Sequence, residues 1–101
     1  MILTVLDTET TGLSLRTHEL LEVALISYVI TSNGERLVTK KYETKVKPKY
    51  IFNASEKALE INGYTDEAWS DAPYIEEVLP EICKALEKTN ILIGQNLIFD
   101  L

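Results

Sequence analysis

Cysteine is nearly absent from this chain. Cys83 stands alone among 101 residues, so no intrachain disulfide can form. A lone thiol suits a reducing, cytoplasmic compartment. Cys83 falls in an apolar helical stripe, which marks it as core filler rather than a nucleophile or ligand. Long hydrophobic runs are also missing. The apolar opening, Ile2 to Leu6, is too short for a signal peptide and has no basic segment before it. No stretch could span a membrane, so no membrane association is expected. Basic residues are scarce: 10 Lys and Arg face 16 Asp and Glu, for a formal net charge of −6. That balance argues against a surface built for non-specific nucleic-acid binding. It does not exclude an enzyme acting on nucleic acid, because bound cations offset acids locally. Repeats, low-complexity tracts and linkers are absent too, which leaves one domain over residues 1–101. With 46% hydrophobic and 26% charged residues, the chain is globular rather than disordered.

What is present alternates between strand and helix patterns. Ile2 to Leu6 reads as a strand buried on both faces, broken by a turn at Thr10-Thr11-Gly12. Leu20 to Ile30, with Glu22 its only charge, reads as a central strand. Asn33-Gly34 signals a hairpin. Leu37 to Val46 then reads as an antiparallel edge strand with lysines toward solvent. Ser55 to Ile61 is a short helix, capped by Asn53 or Ser55 and closed by Gly63. Thr65-Asp66-Glu67 looks like another helix start. From Pro73 to Lys88, Ile75, Val78, Leu79, Ile82 and Leu86 recur at helical spacing, with Pro80 an expected lost hydrogen bond or kink. Ile91-Leu92-Ile93 is a short buried strand ended by Gly94, and Asn96 onward reads as helix. A hairpin followed by a helical crossover predicts an α/β fold: a mixed β-sheet flanked by helices, its last strand parallel to its first.

Three acids stand out against this frame. Asp7 and Glu9 share one side of a strand at i and i+2, about 6–7 Å apart. Two carboxylates this close repel unless protons or a cation intervene. Asp100 follows the other parallel strand, and sites in such sheets lie outside the carboxyl ends of the strands. Three acids from two segments are what hard divalent cations need, which points to metal-assisted phosphodiester chemistry. The alternative is that Asp7 starts a turn and Glu9 is merely solvated.

The run Asp7-Thr8-Glu9-Thr10-Thr11-Gly12-Leu13 resembles the first motif of the DnaQ-like (DEDD) 3′–5′ exonucleases, in the style of the DEDDh subfamily. Gly94-Gln95-Asn96-Leu97-Ile98-Phe99-Asp100 resembles the second motif. Leu21-Glu22-Val23 and Ile61-Asn62-Gly63-Tyr64-Thr65-Asp66-Glu67 resemble intervening stretches of the same superfamily. Gln95 and Asn62 stand where the family often has His. The third motif, His followed five residues later by Asp, is missing. The only histidine, His18, reads as a surface loop residue.

The resemblance implies an RNase H-like fold cut short at its C-terminal end. It implies two Mg²⁺ or Mn²⁺ ions. Asp7 would bridge them, Glu9 would bind one and lie near the 3′-terminal hydroxyl, and Asp100 would hold the other. The backbone of Thr10, Thr11 and Gly12 would approach the terminal nucleotide, since Gly leaves room. Leu13 would wedge against the terminal base or pack in the core. Asn96 and Phe99 would line the pocket, and Glu22 would support the sheet beside the site. The implied partners are single-stranded DNA or RNA 3′ ends and a DNA polymerase. The expected function is 3′–5′ exonuclease action such as proofreading, with little catalysis from these residues alone. Two other readings compete: a non-catalytic module binding nucleic-acid ends or a polymerase, and a homodimer closing an open apolar sheet face.

Overall fold

The computed structural model describes residues 1–14 and 16–94. Strand β1 spans Ile2–Thr10, β2 Leu20–Ile30, β3 Arg36–Lys45 and β4 Ile91–Gly94. Helices α1, Glu56–Ile61, and α2, Ile75–Glu87, lie between β3 and β4. The strands form one sheet in the order β3-β2-β1-β4. β1–β2 and β2–β3 are antiparallel, and β1–β4 is parallel. The mixed sheet, the central β2 and the parallel return strand are therefore as expected. Gly34 closes the β2–β3 hairpin at φ +81°, a conformation that suits glycine.

The core lies on one side of the sheet. Leu6, Val23 and Leu25 from the strands meet Val78, Ile82 and Ala85 from α2, with Val46 beside them. Thr4 and Ser27 are buried polar residues beside this core, and Thr4 links the strands to α2. Its hydroxyl bonds Ser27 Oγ at 2.8 Å and Thr89 Oγ1 at 2.7 Å, and Thr89 donates onward to the Ala85 carbonyl. The chain satisfies every hydroxyl it buries there, as a core requires.

Several expectations need correction. β1 runs four residues further than Leu6, so Asp7 and Glu9 lie within the strand. β1 is buried on one face only: Thr4 and Leu6 are covered, while Val5, Asp7 and Glu9 are exposed. β4 is an edge among the described residues rather than a buried strand, with Ile91 and Ile93 exposed. Cys83 is exposed, because it lies about 100° around α2 from Ile82, past the buried face. Leu79 is exposed for the same reason, and Ala85 takes its place. Thr65 starts turns rather than a helix: its Oγ1 accepts from the Ala68 N–H while Trp69 turns into the core at 2% exposure. α2 continues unbroken through Pro80. Pro80 and Glu76 are exposed, so water can serve the carbonyl that Pro80 cannot bond. Ser55, not Asn53, caps α1, accepting from the Ala58 N–H at 3.4 Å. No helix among the described residues is long and apolar enough to cross a membrane.

Candidate active site

Two acids meet at the end of β1. Asp7 pairs in register with Ala24, and Glu9 with Glu22. Ala24 in turn pairs with Glu43. Register partners share a face, so Asp7, Glu9, Glu22 and Glu43 rim one shallow hollow on the exposed side of the sheet. Glu22 is partly neutralised by Lys45 at 3.4 Å. Asp7 and Glu9 make no ion pair among the described residues. Partial burial, Asp7 and Glu22 together push the Glu9 carboxyl above its ordinary value. Repelling hard-oxygen donors of this kind fit a divalent cation. No cluster of three metal-ligating residues forms among the described residues. β4 ends level with Leu6, one residue short of Asp7. Asp100, Asn96 and Phe99 lie outside the described residues.

Beyond Glu9 the register shifts, leaving Leu21 as an extra residue on β2. Such bulges re-aim the chain beside functional sites. The Leu21 carbonyl accepts from the Val46 N–H at 2.8 Å and from the Trp69 indole N–H at 2.9 Å. Trp69 thus pins the bulge from the far side.

The loop after β1 is tied at every step. Thr10 donates its hydroxyl to the Gly12 carbonyl at 2.6 Å. Thr11 is 1% exposed. Its N–H donates to the Glu19 carbonyl, its carbonyl accepts from Ser55, and its hydroxyl accepts from the Glu19 N–H. Thr11 therefore holds the loop to the entry of β2 and to the start of α1. Asn62 donates to the Thr10 carbonyl at 3.3 Å, fastening α1 to β1.

Gly12 serves a purpose the sequence did not reveal. A Cβ there would come within 2.6 Å of three ring atoms of His18. The ring is held by the Ser14 N–H, which donates to Nδ1 at 2.8 Å. His18 is thus packed onto the loop rather than free on the surface, and the room that Gly12 leaves is filled by the imidazole. Leu13, 89% exposed, is not a core residue. It stands at an open cleft of about 570 Å³ whose walls include Glu9, Thr10, Gly12, His18 and Asn62.

This arrangement can be compared with known proteins. The model of the exonuclease family RNase_T matches residues 4–101. The chain belongs to that family. Among curated relatives, the PolC-type DNA polymerase III of Thermotoga maritima is 38% identical over 96 residues, covering 95% of this chain and 6% of that protein. The PolC-type polymerase of Staphylococcus aureus is 35% identical over 97 residues, covering 96% and 6%. This chain therefore spans only a small part of the relatives it matches. Among solved structures, E. coli Exonuclease I in complex with a dA13 oligonucleotide superposes with a TM-score of 0.69 at 18% identity, covering 98% of this chain and 22% of that one. The nuclease domain of 3′hExo, a DEDDh family member bound to rAMP, gives 0.65 at 17% identity, covering 92% and 50%. At these identities the structures show a shared fold, the RNase H-like one expected. Exonucleases of this kind are generally dependent on divalent metal.

Proposed function

We propose that this chain supplies two of the metal-binding carboxylates and much of the terminal-nucleotide cleft of a 3′–5′ exonuclease acting on single-stranded nucleic-acid ends. The observation that carries the reading is the Asp7–Glu9 pair. It is exposed and lies toward the carboxyl end of β1, and partial burial, with Asp7 and Glu22 beside it, pushes the Glu9 carboxyl above its ordinary value. A pair kept for stability alone would be diluted by a neighbouring cation, and among the described residues Glu22 is the one acid of the hollow in an ion pair. Asp7, Glu9 and Asp100 would hold the two Mg²⁺ or Mn²⁺ ions. The parallel pairing that brings β4 beside β1 supports Asp100 as the third ligand, since it follows Gly94 by only six positions. When bound, the ions supply Lewis acidity at the scissile phosphodiester.

The chain's own residues do the positioning. Glu9, at the boundary of the hollow and the cleft, would meet the 3′-terminal hydroxyl. Leu13 would stack or wedge against the terminal base. The Thr10 to Gly12 loop would form the cleft floor, with Thr11 locking it from beneath and His18 fixing Gly12. Asn96 and Phe99 would complete the pocket. Residues 1–101 would form one domain with whatever completes the sheet's open face. The similarity to PolC-type polymerases supports a proofreading role beside a DNA polymerase.

The test uses the full-length protein and a 3′-labelled single strand with Mn²⁺. Asp7→Ala should lower 3′–5′ release by more than roughly 100-fold, the upper range seen even for outer-shell metal partners. Release that survives Asp7→Ala would refute the assignment.

A further inference from the structure

An exposed aromatic pair lies next to the cleft, and nothing in the site described above uses it. Tyr50 and Phe52, 54% and 79% exposed, stand edge to face with ring centroids 6.0 Å apart. Two large aromatic faces left open to water are costly unless something covers them. With Arg16, Thr17, His18 and Asn53 they line a second open groove of about 480 Å³. His18 lines both this groove and the Leu13 cleft, so the two are neighbours across one side chain.

The pair is rigidly presented. The Glu19 carboxylate accepts from the Lys49 and Tyr50 N–H groups, each at 2.9 Å. Phe52 lies in a single 3₁₀ turn over Ile51–Asn53. The Ser55 N–H then donates to the Thr11 carbonyl at 2.7 Å, tying this turn to the loop that floors the cleft. Platform and cleft therefore move as one, which reduces the entropy a bound strand would have to lose.

The charge here departs from the rest of the molecule. In a chain of net charge −6, the segment from 45 to 57 carries Lys45, Lys47, Lys49 and Lys57 against Glu56 alone. Arg16 and Lys57 make no ion pair among the described residues, whereas Lys49 is paired with Glu76 and Lys45 with Glu22. Glu19 also lines the groove, but both its oxygens are occupied by backbone donors. Arg16 lines the groove beside the two rings and Lys57 lines the neighbouring cleft; aromatic rings with cations beside them are the chemistry that binds single-stranded nucleic acid without sequence preference.

We propose that Tyr50 and Phe52 form a stacking platform for the nucleotides upstream of the 3′ end. The strand would cross His18 to reach the cleft, with Arg16 and Lys57 meeting its phosphates. This inference rests on the exonuclease reading above.

The test measures kcat and KM for 3′-terminal release by the full-length protein on oligothymidylates of two and eight nucleotides. In the Tyr50→Ala/Phe52→Ala double variant, KM for the octamer should rise by tenfold or more, with kcat and all constants for the dimer unchanged. Phe52→Trp in the Tyr50-intact protein should keep the wild-type KM for the octamer, since any large ring stacks. Equal losses on dimer and octamer would overturn the proposal, because the pair would then act through the fold. No loss on either length would also overturn it and leave the pair to a protein contact. A protein inactive on both lengths would refute the exonuclease reading instead. Anisotropy binding of fluorescent octamer against dimer would then still decide the platform: an octamer preference abolished in the double variant supports it, and one retained there refutes it.

Discussion

Gly12→Ala separates two reasons for a glycine in this loop. If glycine is there to admit a nucleotide, alanine should fold normally and lose only activity. The structure gives a different reason. Backbone conformation is not the obstacle, because the positive-φ glycines among the described residues are Gly34 and Gly63. The obstacle is the His18 ring, which an added Cβ would overlap. Moving the ring breaks the Ser14 N–H bond to Nδ1, worth about 0.5–1.5 kcal/mol. Forcing an extra methyl into a packed contact costs about 1–3 kcal/mol. Removing glycine's unfolded-state entropy returns about 0.4–1 kcal/mol. The net expectation is a loss of about 1–2 kcal/mol, part of the packing cost being relieved as the ring swings out. The assay is urea denaturation of four proteins: wild type, Gly12→Ala, His18→Ala and the double variant. With His18 gone the clash is gone, so Gly12→Ala should become neutral or stabilising by about 0.4–1 kcal/mol. Contacting residues couple in this way, and the cycle isolates that coupling. Equal destabilisation in both backgrounds would refute the reasoning.

Three further outcomes follow from the geometry. The folded-state pKa of Glu9 is raised, so its contribution is most favourable below the ordinary carboxylate value of 4.5 and is lost as pH rises through the raised value. Metal-free Glu9→Gln should therefore melt above wild type at pH 7 and match it below pH 4.5, while added Mn²⁺ should raise the melting temperature of wild type only; the opposite pH trend would exclude the Asp7 and Glu22 repulsion. Trp69→Phe removes an indole donor from the Leu21 carbonyl, which keeps its Val46 partner. The urea midpoint should report a loss of about 1–2 kcal/mol, the lower part of the range for a broken buried bond, and no loss would mean that Trp69 does not pin the bulge. Cys83 should react fully with a thiol reagent in the native protein, and Cys83→Ser should leave stability within about 0.5 kcal/mol; protection of the thiol would return Cys83 to the core.

The backbone architecture was legible because its signals are local. The apolar run of β2, Asn33-Gly34, the cap at Ser55 and the three-four spacing in α2 each depend on a few neighbouring residues. Asp7 and Glu9 were legible for the same reason, since i and i+2 on a strand must share a face. Errors arose where burial depends on a distant partner. The mostly apolar run Ile2–Leu6 reads as doubly buried, yet only one sheet face is covered by α2. Cys83 and Leu79 are apolar at helical spacing, but a helix on a sheet buries a narrower stripe than the sequence displays. His18 on Gly12, Glu19 on Lys49 and Tyr50, and Trp69 on the Leu21 carbonyl join residues 6 to 48 positions apart, and no periodicity encodes such contacts. One signal was available and went unread: lysines interleaved with Tyr50 and Phe52 in a chain otherwise rich in acid.

That interleaving also resolves the tension in the net charge. A charge of −6 spread evenly would repel a phosphate backbone everywhere. Here the sign is partitioned. Asp7, Glu9, Glu22 and Glu43 gather on one face of the sheet, whereas Arg16 stands in the groove of the aromatic pair and Lys57 at the adjoining cleft, neither in an ion pair among the described residues. A strand would be drawn to the basic segment and repelled from the acidic hollow until cations occupied it. Binding and chemistry would then have opposite electrostatic requirements. Chelation of the metal should weaken engagement of the terminal nucleotide far more than contact with upstream nucleotides. A uniformly basic surface would bind strands anywhere along their length. An acidic hollow beside a small basic platform favours the one place where a strand ends.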